Sequence, residues 1–210
     1  MLYYRKIVGG PLYSNSYIVY RGSEGFLVDA GVEPLKIYKT MDELNVNIEF
    51  IIITHGHFDH VYYAQELSGK LNVDAYMHEA DLEIMRYSAT FGEYLYGEPF
   101  KGPQNLVKIG DIEEISFENT KIKVIHTPGH SPGSICAMID NLLFTGDTLL
   151  RGAVGRTDLP GGSNEMLVSS LRKIASLPRN YVVLPGHGEE TTLKRELDNN
   201  LYLKKLISKH

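Results

Sequence analysis

One cysteine, Cys136, stands among 210 residues. An intramolecular disulfide, a four-thiolate zinc site and a CxxC redox centre are thereby excluded. Basic residues do not dominate either: 21 Lys and Arg against 26 Asp and Glu leave a net charge of −5. The chain thus lacks the basic footprint of a nucleic-acid binder and a polybasic patch for anionic lipid. Charged residues interrupt every longer apolar stretch, and the opening Met-Leu-Tyr-Tyr-Arg-Lys-Ile-Val-Gly-Gly lacks the uninterrupted apolar run that a signal peptide needs. These absences lead to the expectation of a cytoplasmic protein with no nucleic-acid and no membrane partner. Long linkers and low-complexity tracts are also missing, so a single domain over residues 1–210 is expected. A chain of this length buries roughly 70% of its unfolded surface and needs no covalent staples.

What is present is an alternation of short β-branched apolar runs with helix-period stretches. Strands are predicted at Ser16–Tyr20, Gly25–Asp29, Glu49–Thr54, Val73–Met77, Lys121–His126, Ser134–Ile139, Leu142–Thr145 and Tyr181–Leu184. Helices are predicted over Glu33–Asn45, about 60–71, about 79–90, Asn164–Leu177 behind a Ser163 N-cap, and about 190–209. The mixture means layered α/β or α+β architecture. A weak internal repeat runs through it. Residues 16–31 and 134–148 both read as hairpin, apolar strand, then Asp beside Gly. Residues 49–57 and 180–188 both read as apolar strand running into a Gly-His turn. Two related β/α halves follow, each ending its strands at one shared edge.

The chemistry-bearing residues lie at those strand ends. Five of the eight histidines fall in three Gly-adjacent turns after predicted strands. The first turn, Thr54-His55-Gly56-His57-Phe58-Asp59-His60, offers four potential metal ligands. After an extended run, positions i and i+2 project the same way, so His55 and His57 can grip one ion. Asp59 and His60 lie past the bend, where the next helix begins, and would face a neighbouring ion. The second turn carries His130 in Pro128-Gly129-His130-Ser131, and the third carries His187 in Pro185-Gly186-His187-Gly188. Between them, Thr145-Gly146-Asp147-Thr148 ends another apolar strand with a carboxylate. A lone histidine near a strand end is ordinarily structural. Clustered histidines and glycines have no packing advantage, because glycine weakens strands and crowded imidazoles repel when protonated. A metal is the simplest common cause, and imidazole with carboxylate suits zinc, iron or manganese.

The series THGHFDH, PGHS, GDT and PGHG resembles the metallo-β-lactamase superfamily, and within it the small glyoxalase II-like (hydroxyacylglutathione hydrolase-like) hydrolases. The resemblance spans about residues 10–195. It implies an α/β (α+β) fold, a four-layer αββα sandwich of two mixed sheets flanked by helices. It implies two divalent metal ions, zinc first, with iron or manganese as alternatives. By position, His55, His57 and His130 would hold one ion, Asp59, His60 and His187 the other, and Asp147 would bridge them. Two divalent cations, two carboxylates and a hydroxide leave a net positive charge, which favours an anionic small-molecule thioester or related substrate. The implied reaction is attack of metal-bound hydroxide on an acyl carbonyl, with Asp59 as catalytic residue orienting the nucleophile and accepting its proton. A homodimer is a common assembly for such folds.

Other branches fit less well. The commonest true β-lactamases carry a ligating Cys where this chain has Asp147, and the flavodiiron branch carries Glu at the position of His57. Glu189 stands where glyoxalase II enzymes often hold glutathione with Tyr, and Val61-Tyr62-Tyr63 replaces a frequent Gly pair. The stretch Gly155–Gly162 also resembles persulfide dioxygenases, which use one iron at the positions of His55, His130 and Asp147. That chemistry is the alternative reading, beside hydrolysis of another ester or amide. Among the remaining residues, Asp29 is expected to orient a ligating His. Arg156 is expected to anchor its loop through Asp158, with contact to an anionic substrate as the other option. Arg151 is expected to be a solvated surface residue, His78 to be a cap or surface residue, and His126 to pack ordinarily or to support a ligand from behind. Cys136 is expected to be an inert buried thiol. The tyrosine-rich run Tyr87–Tyr96 reads as a helix burying its aromatics, with a lid as the other option.

Overall fold

A computed structural model describes residues 1–97 and 100–207. The chain divides into two compact units, Met1–Lys108 and Ile109–His210, each built on one six-stranded mixed sheet.

In the first unit, β1 (Tyr3–Gly9), β2 (Ser14–Arg21) and β3 (Glu24–Val28) form an antiparallel meander. Helix α1 (Pro34–Leu44) starts with proline in its first turn, where no N–H is missed, and stops at left-handed Asn45. It leads into β4 (Asn47–Ile52), parallel to β3. Next come α2 (Phe58–Val61), α3 (Ala64–Leu71) and β5 (Asp74–His78), parallel to β4. A single 3₁₀ turn, Glu79–Asp81, opens onto α4 (Leu82–Tyr96), and β6 (Leu106–Ile109) closes the sheet beside β5. Ile18, Leu27, Ile37, Ile51, Ile53, Leu67 and Met77 are at most 1% exposed and form the centre of one apolar cluster.

The second unit repeats the plan. Strands β7 (Ile112–Phe117), β8 (Thr120–His126), β9 (Ile135–Ile139) and β10 (Leu142–Gly146) run antiparallel in sequence. A small hairpin follows, β11 (Leu149–Leu150) with β12 (Ala153–Val154). Helix α5 (Asn164–Ala175) is capped by Ser163, whose hydroxyl accepts the Met166 N–H. Strand β13 (Val182–Pro185) lies parallel to β10 and pairs with β14 (Thr191–Thr192). The chain then forms α6 (Leu193–Asn199) and α7 (Leu201–Ile207). Leu143, Leu167, Leu171, Ile174, Val183 and Leu193 form this unit's core.

The halves expected from the repeat are therefore present: hairpin, parallel partner and crossover helix recur in the same order. Three of the predicted helices are redrawn. The 60–71 stretch breaks at Tyr62-Tyr63, because Ala30 N–H takes the His60 carbonyl (2.8 Å) and Tyr63 N–H goes to the Ala30 carbonyl (2.9 Å). The 79–90 stretch begins with the 3₁₀ turn and continues to Tyr96. The 190–209 stretch is interrupted at Asn200, whose backbone is extended. The Asn200 side chain donates to Ala153 O and Glu196 Oε2, and its Oδ1 accepts Leu203 N–H, so one residue ends α6 and caps α7. Positions 208 and 209 lie outside the described residues. Helix α4 forms as expected over the tyrosine-rich run, but Tyr87, Phe91 and Tyr94 are 60%, 50% and 84% exposed rather than buried.

Candidate metal centre

In the first unit, β3, β4 and β5 are parallel, so their C-terminal ends share one edge, and the start of antiparallel β2 lies there too. Asp29 follows β3 in the left-handed region (φ 60°), which aspartate tolerates better than most side chains. Its carboxylate, 2% exposed, takes the Thr54 N–H on Oδ1 (2.7 Å) and the Thr54 hydroxyl on Oδ2 (2.9 Å). With its amide so engaged, Thr54 leaves the ladder and β4 stops at Ile52. The same Oδ2 receives His60 Nδ1 at 2.9 Å.

These contacts settle two imidazoles by elimination. A carboxylate only accepts, so His60 Nδ1 donates to Asp29 and, in the neutral ring, Nε2 is the nitrogen that holds the lone pair. The Thr54 hydroxyl proton points at Asp29, so Thr54 Oγ1 accepts from His55 Nδ1 at 3.1 Å. His55 Nε2 likewise keeps its lone pair. His57 is half-buried with its ring centroid 4.8 Å from that of His55, and the His60 ring is 4.2 Å from the His55 ring. Asp59 and His60 sit on α2, as the sequence implies. Asp59 Oδ2 stands 3.4 Å from His60 Nε2, close enough for both atoms to serve one cation.

The second unit has the matching edge. Strands β8, β10 and β13 point the same way, because β9 is antiparallel to both β8 and β10, and β13 is parallel to β10. Residues following all three strands converge there. His130 Nδ1 donates to the Arg156 carbonyl at 2.9 Å, which leaves Nε2 toward Asp147. His130 Nε2 and His187 Nε2 each lie 3.7 Å from Asp147 Oδ2. That is too long for a hydrogen bond. It is roughly the separation of two ligands each standing about 2.1 Å from one ion. Glycine permits the close approach: a Cβ on Gly155 would lie 2.0 Å from the Asp147 carbonyl oxygen and 3.1 Å from His130 Cβ.

The structure thus gathers His55, His57, Asp59 and His60 in one unit, and His130, Asp147 and His187 in the other. Imidazole nitrogens with fixed tautomers beside carboxylate oxygens make a donor set that fits zinc, iron or manganese. In the first unit His55 and His60 are at most 1% exposed; in the second the His187 side chain is 27% exposed.

Several supporting residues match expectation. Asp29 orients His60. Arg156 and Asp158 form a two-pronged pair, both bonds 2.6 Å, holding the Asp158 carboxyl down to about 2. His78 Nδ1 accepts Ala80 N–H and caps the 3₁₀ turn, though it is buried rather than on the surface. Cys136 is fully buried, which pushes its thiol up to about 12. Arg151 is more engaged than expected, pairing with Glu189. His126 contacts Asp111 Oδ1 (2.9 Å) and the Pro132 carbonyl (2.7 Å), which bolts down the His130 turn. Sequence reasoning missed Asp81, whose Oδ2 accepts the Gly56 N–H at 2.7 Å. The available signal was its place just after a third parallel strand, beside Asp29 and the His55 turn. It also missed Ser14, whose hydroxyl donates to the Asp59 carbonyl at 2.7 Å.

Two mixed sheets flanked by helices, with His and Asp side chains that could hold a metal at the strand ends, define a metallo-hydrolase scaffold. The chain belongs to the metallo-β-lactamase superfamily, whose family model matches residues 9–187. It is similar to the probable metallo-hydrolase YqgX of Bacillus subtilis, 33% identical, covering 95% of this chain and 97% of that protein. It is similar also to hydroxyacylglutathione hydrolase GloC of Haemophilus influenzae, 31% identical over 84% of this chain and 86% of that one. Among solved structures, TTHA1623 in a di-iron-bound form superposes with a TM-score of 0.84 at 33% identity, covering 94% and 98% of the two chains. No helix among the described residues is long and apolar enough to cross a membrane.

Proposed function

We propose that these histidines and aspartates bind two divalent metal ions, and that the protein is a glyoxalase II-like thioesterase acting on small anionic thioesters. The observation that carries this reading is the hydrogen-bonded fixing of His60 by Asp29 and of His130 by the Arg156 carbonyl, which readies Nε2 of each ring for a cation. Similarity to the Haemophilus hydroxyacylglutathione hydrolase supports the substrate class. The di-iron relative supports a pair of ions and keeps iron beside zinc and manganese as the metal.

Divalent ions bound there would supply hydroxide at neutral pH, lowering the pKa of water to about 7, and would polarise an acyl carbonyl. The chain's own residues do the rest. Asp59, 5% exposed, orients the nucleophile and takes its proton on a carboxylate oxygen. The Ser14 hydroxyl bond to the Asp59 carbonyl holds that residue's backbone in place. A thiol with a pKa near 8.5 leaves as thiolate with little protonation, so the site needs no general acid. Glu189, paired with Arg151 next to the His187 turn, replaces the tyrosine that grips glutathione in related enzymes, and a thioester of another small thiol fits this reading equally. A single domain, a cytoplasmic location and a homodimer complete the proposal.

Elemental analysis of freshly purified protein, coupled to an S-D-lactoylglutathione hydrolysis assay, tests it. About two equivalents of transition metal with release of free thiol are expected. Metal without thioester hydrolysis would discard the substrate class. One tightly held iron with oxygen uptake on glutathione persulfide would replace the hydrolase by the dioxygenase.

A further inference from the structure

Gly56, the residue between His55 and His57, is gripped at both of its backbone polar groups by side chains. Its N–H donates to Asp81 Oδ2 at 2.7 Å, and its carbonyl accepts the Ser88 hydroxyl at 3.1 Å. Asp81 is fully buried, and Ser88 is 5% exposed. Asp81 ends the 3₁₀ turn after β5, and Ser88 lies two turns into α4. The fit is close: a Cβ on Gly56 would stand 2.7 Å from the Asp81 carbonyl oxygen and 3.0 Å from Met85 N. Only glycine lets the turn lie this near the helix start.

We propose that Asp81 and Ser88 are positioning residues that set the bite of the His55/His57 pair. The proposal rests on the reading that these histidines bind metal. Two imidazoles joined through a glycine form a floppy chelate, since glycine loses more conformational freedom on ordering than any other residue. Fastening both the N–H and the C=O of that glycine removes the freedom before the ion arrives. The rings then stay at their 4.8 Å centroid spacing. Partners that orient ligands in this way typically alter metal affinity 10- to 100-fold when removed. A bare helix–sheet tether would give no such effect, because neither side chain is itself a ligand.

The test uses the full chain, stripped with a chelator and reloaded with zinc or cobalt(II). Ser88→Ala, the milder change, and Asp81→Ala are expected to weaken zinc about tenfold or more in a chelator-competition titration. They should also shift the visible absorption of the cobalt form. Asp81→Asn, whose amide oxygen still accepts the Gly56 N–H, is expected to restore most of the affinity. Wild-type zinc affinity and an unchanged cobalt spectrum in Ser88→Ala would overturn the proposal, even with a lowered melting temperature. If the wild-type protein takes up neither zinc nor cobalt, the metal reading itself fails, a different result from a metal-binding wild type with an indistinguishable variant.

Discussion

Asp29 Oδ2 and His60 Nδ1 are 2.9 Å apart, and both side chains are almost wholly buried. The pair joins the end of β3 to helix α2 and fixes which nitrogen of His60 faces outward. Replacing Asp29 with Ala removes the acceptor for His60 and for Thr54 together. Zinc affinity measured by chelator competition is expected to fall 10- to 100-fold. Asp29→Asn should lie between, because asparagine also tolerates the left-handed backbone at this position.

Asp59 lies in the first turn of α2, 5% exposed, with its carboxylate 3.4 Å from His60 Nε2. Asp59→Asn preserves shape and loses the proton acceptor. Turnover should drop by about 10²- to 10⁴-fold, while the circular dichroism spectrum stays as in the wild type. A variant with full activity would remove Asp59 from the mechanism.

Glu196 is a carboxylate inside the second unit, 0% exposed. Burial alone raises its pKa, but donors from Thr191, the Gly152 N–H, Asn200 and Arg195 outweigh burial and hold it below the ordinary 4.5. A depressed folded value means that the charged form stabilises the fold above the unfolded pKa. That contribution is lost as pH falls through the folded value. Glu196→Gln should cost about 1–3 kcal/mol near neutral pH. The gap in melting temperature between variant and wild type should narrow on acidification, because protonated Glu196 resembles glutamine.

Tyr13 tops the β1–β2 hairpin at φ 56° and is 77% exposed. A bulky side chain in the left-handed region carries strain without burying surface in return. Tyr13→Asn should raise stability by about 0.5–1 kcal/mol, read as an upward shift in thermal melting. An unchanged or lower melting point would show that the tyrosine makes a compensating contact.

Cys136, raised to about 12 by burial, is expected to ignore an aromatic disulfide reagent at pH 8 and to react fully in denaturant. Rapid reaction of the native protein would mean that β9 opens easily.

Much of this protein was legible residue by residue. Strands β2, β3, β4, β5, β8, β9, β10 and β13 each contain apolar residues in a short run, and each falls within a few residues of its predicted span. Strands β1, β6 and β7 were not foreseen. Tyr3–Gly9 and Ile112–Phe117 are each interrupted by a charged pair, Arg5-Lys6 and Glu113-Glu114, and Leu106–Ile109 is only four residues long. Their strand character comes from pairing with neighbours rather than from local composition. The Asn200 break in the C-terminal helix was hidden for a similar reason. Leucines at i+4 spacing continue through it, and only the acceptors at Glu196 and Ala153 pull the chain out of register.

The order of ligand types along the chain is a covalent property, so His55, His57, Asp59, His60, His130, Asp147 and His187 could be picked out from Gly-His turns after apolar runs. Which nitrogen each imidazole presents is not covalent. It depends on Asp29 reaching His60, Thr54 reaching His55 and the Arg156 carbonyl reaching His130, across separations of 31, 1 and 26 residues. The Asp29–His60 contact exists only because parallel strands bring distant chain ends to a common edge, as does the grip of Asp81 on Gly56, and the His130 contact exists because the chain returns through the β11–β12 hairpin. Local sequence decided which donors are present; the packing of strands and helices decided how they are aimed.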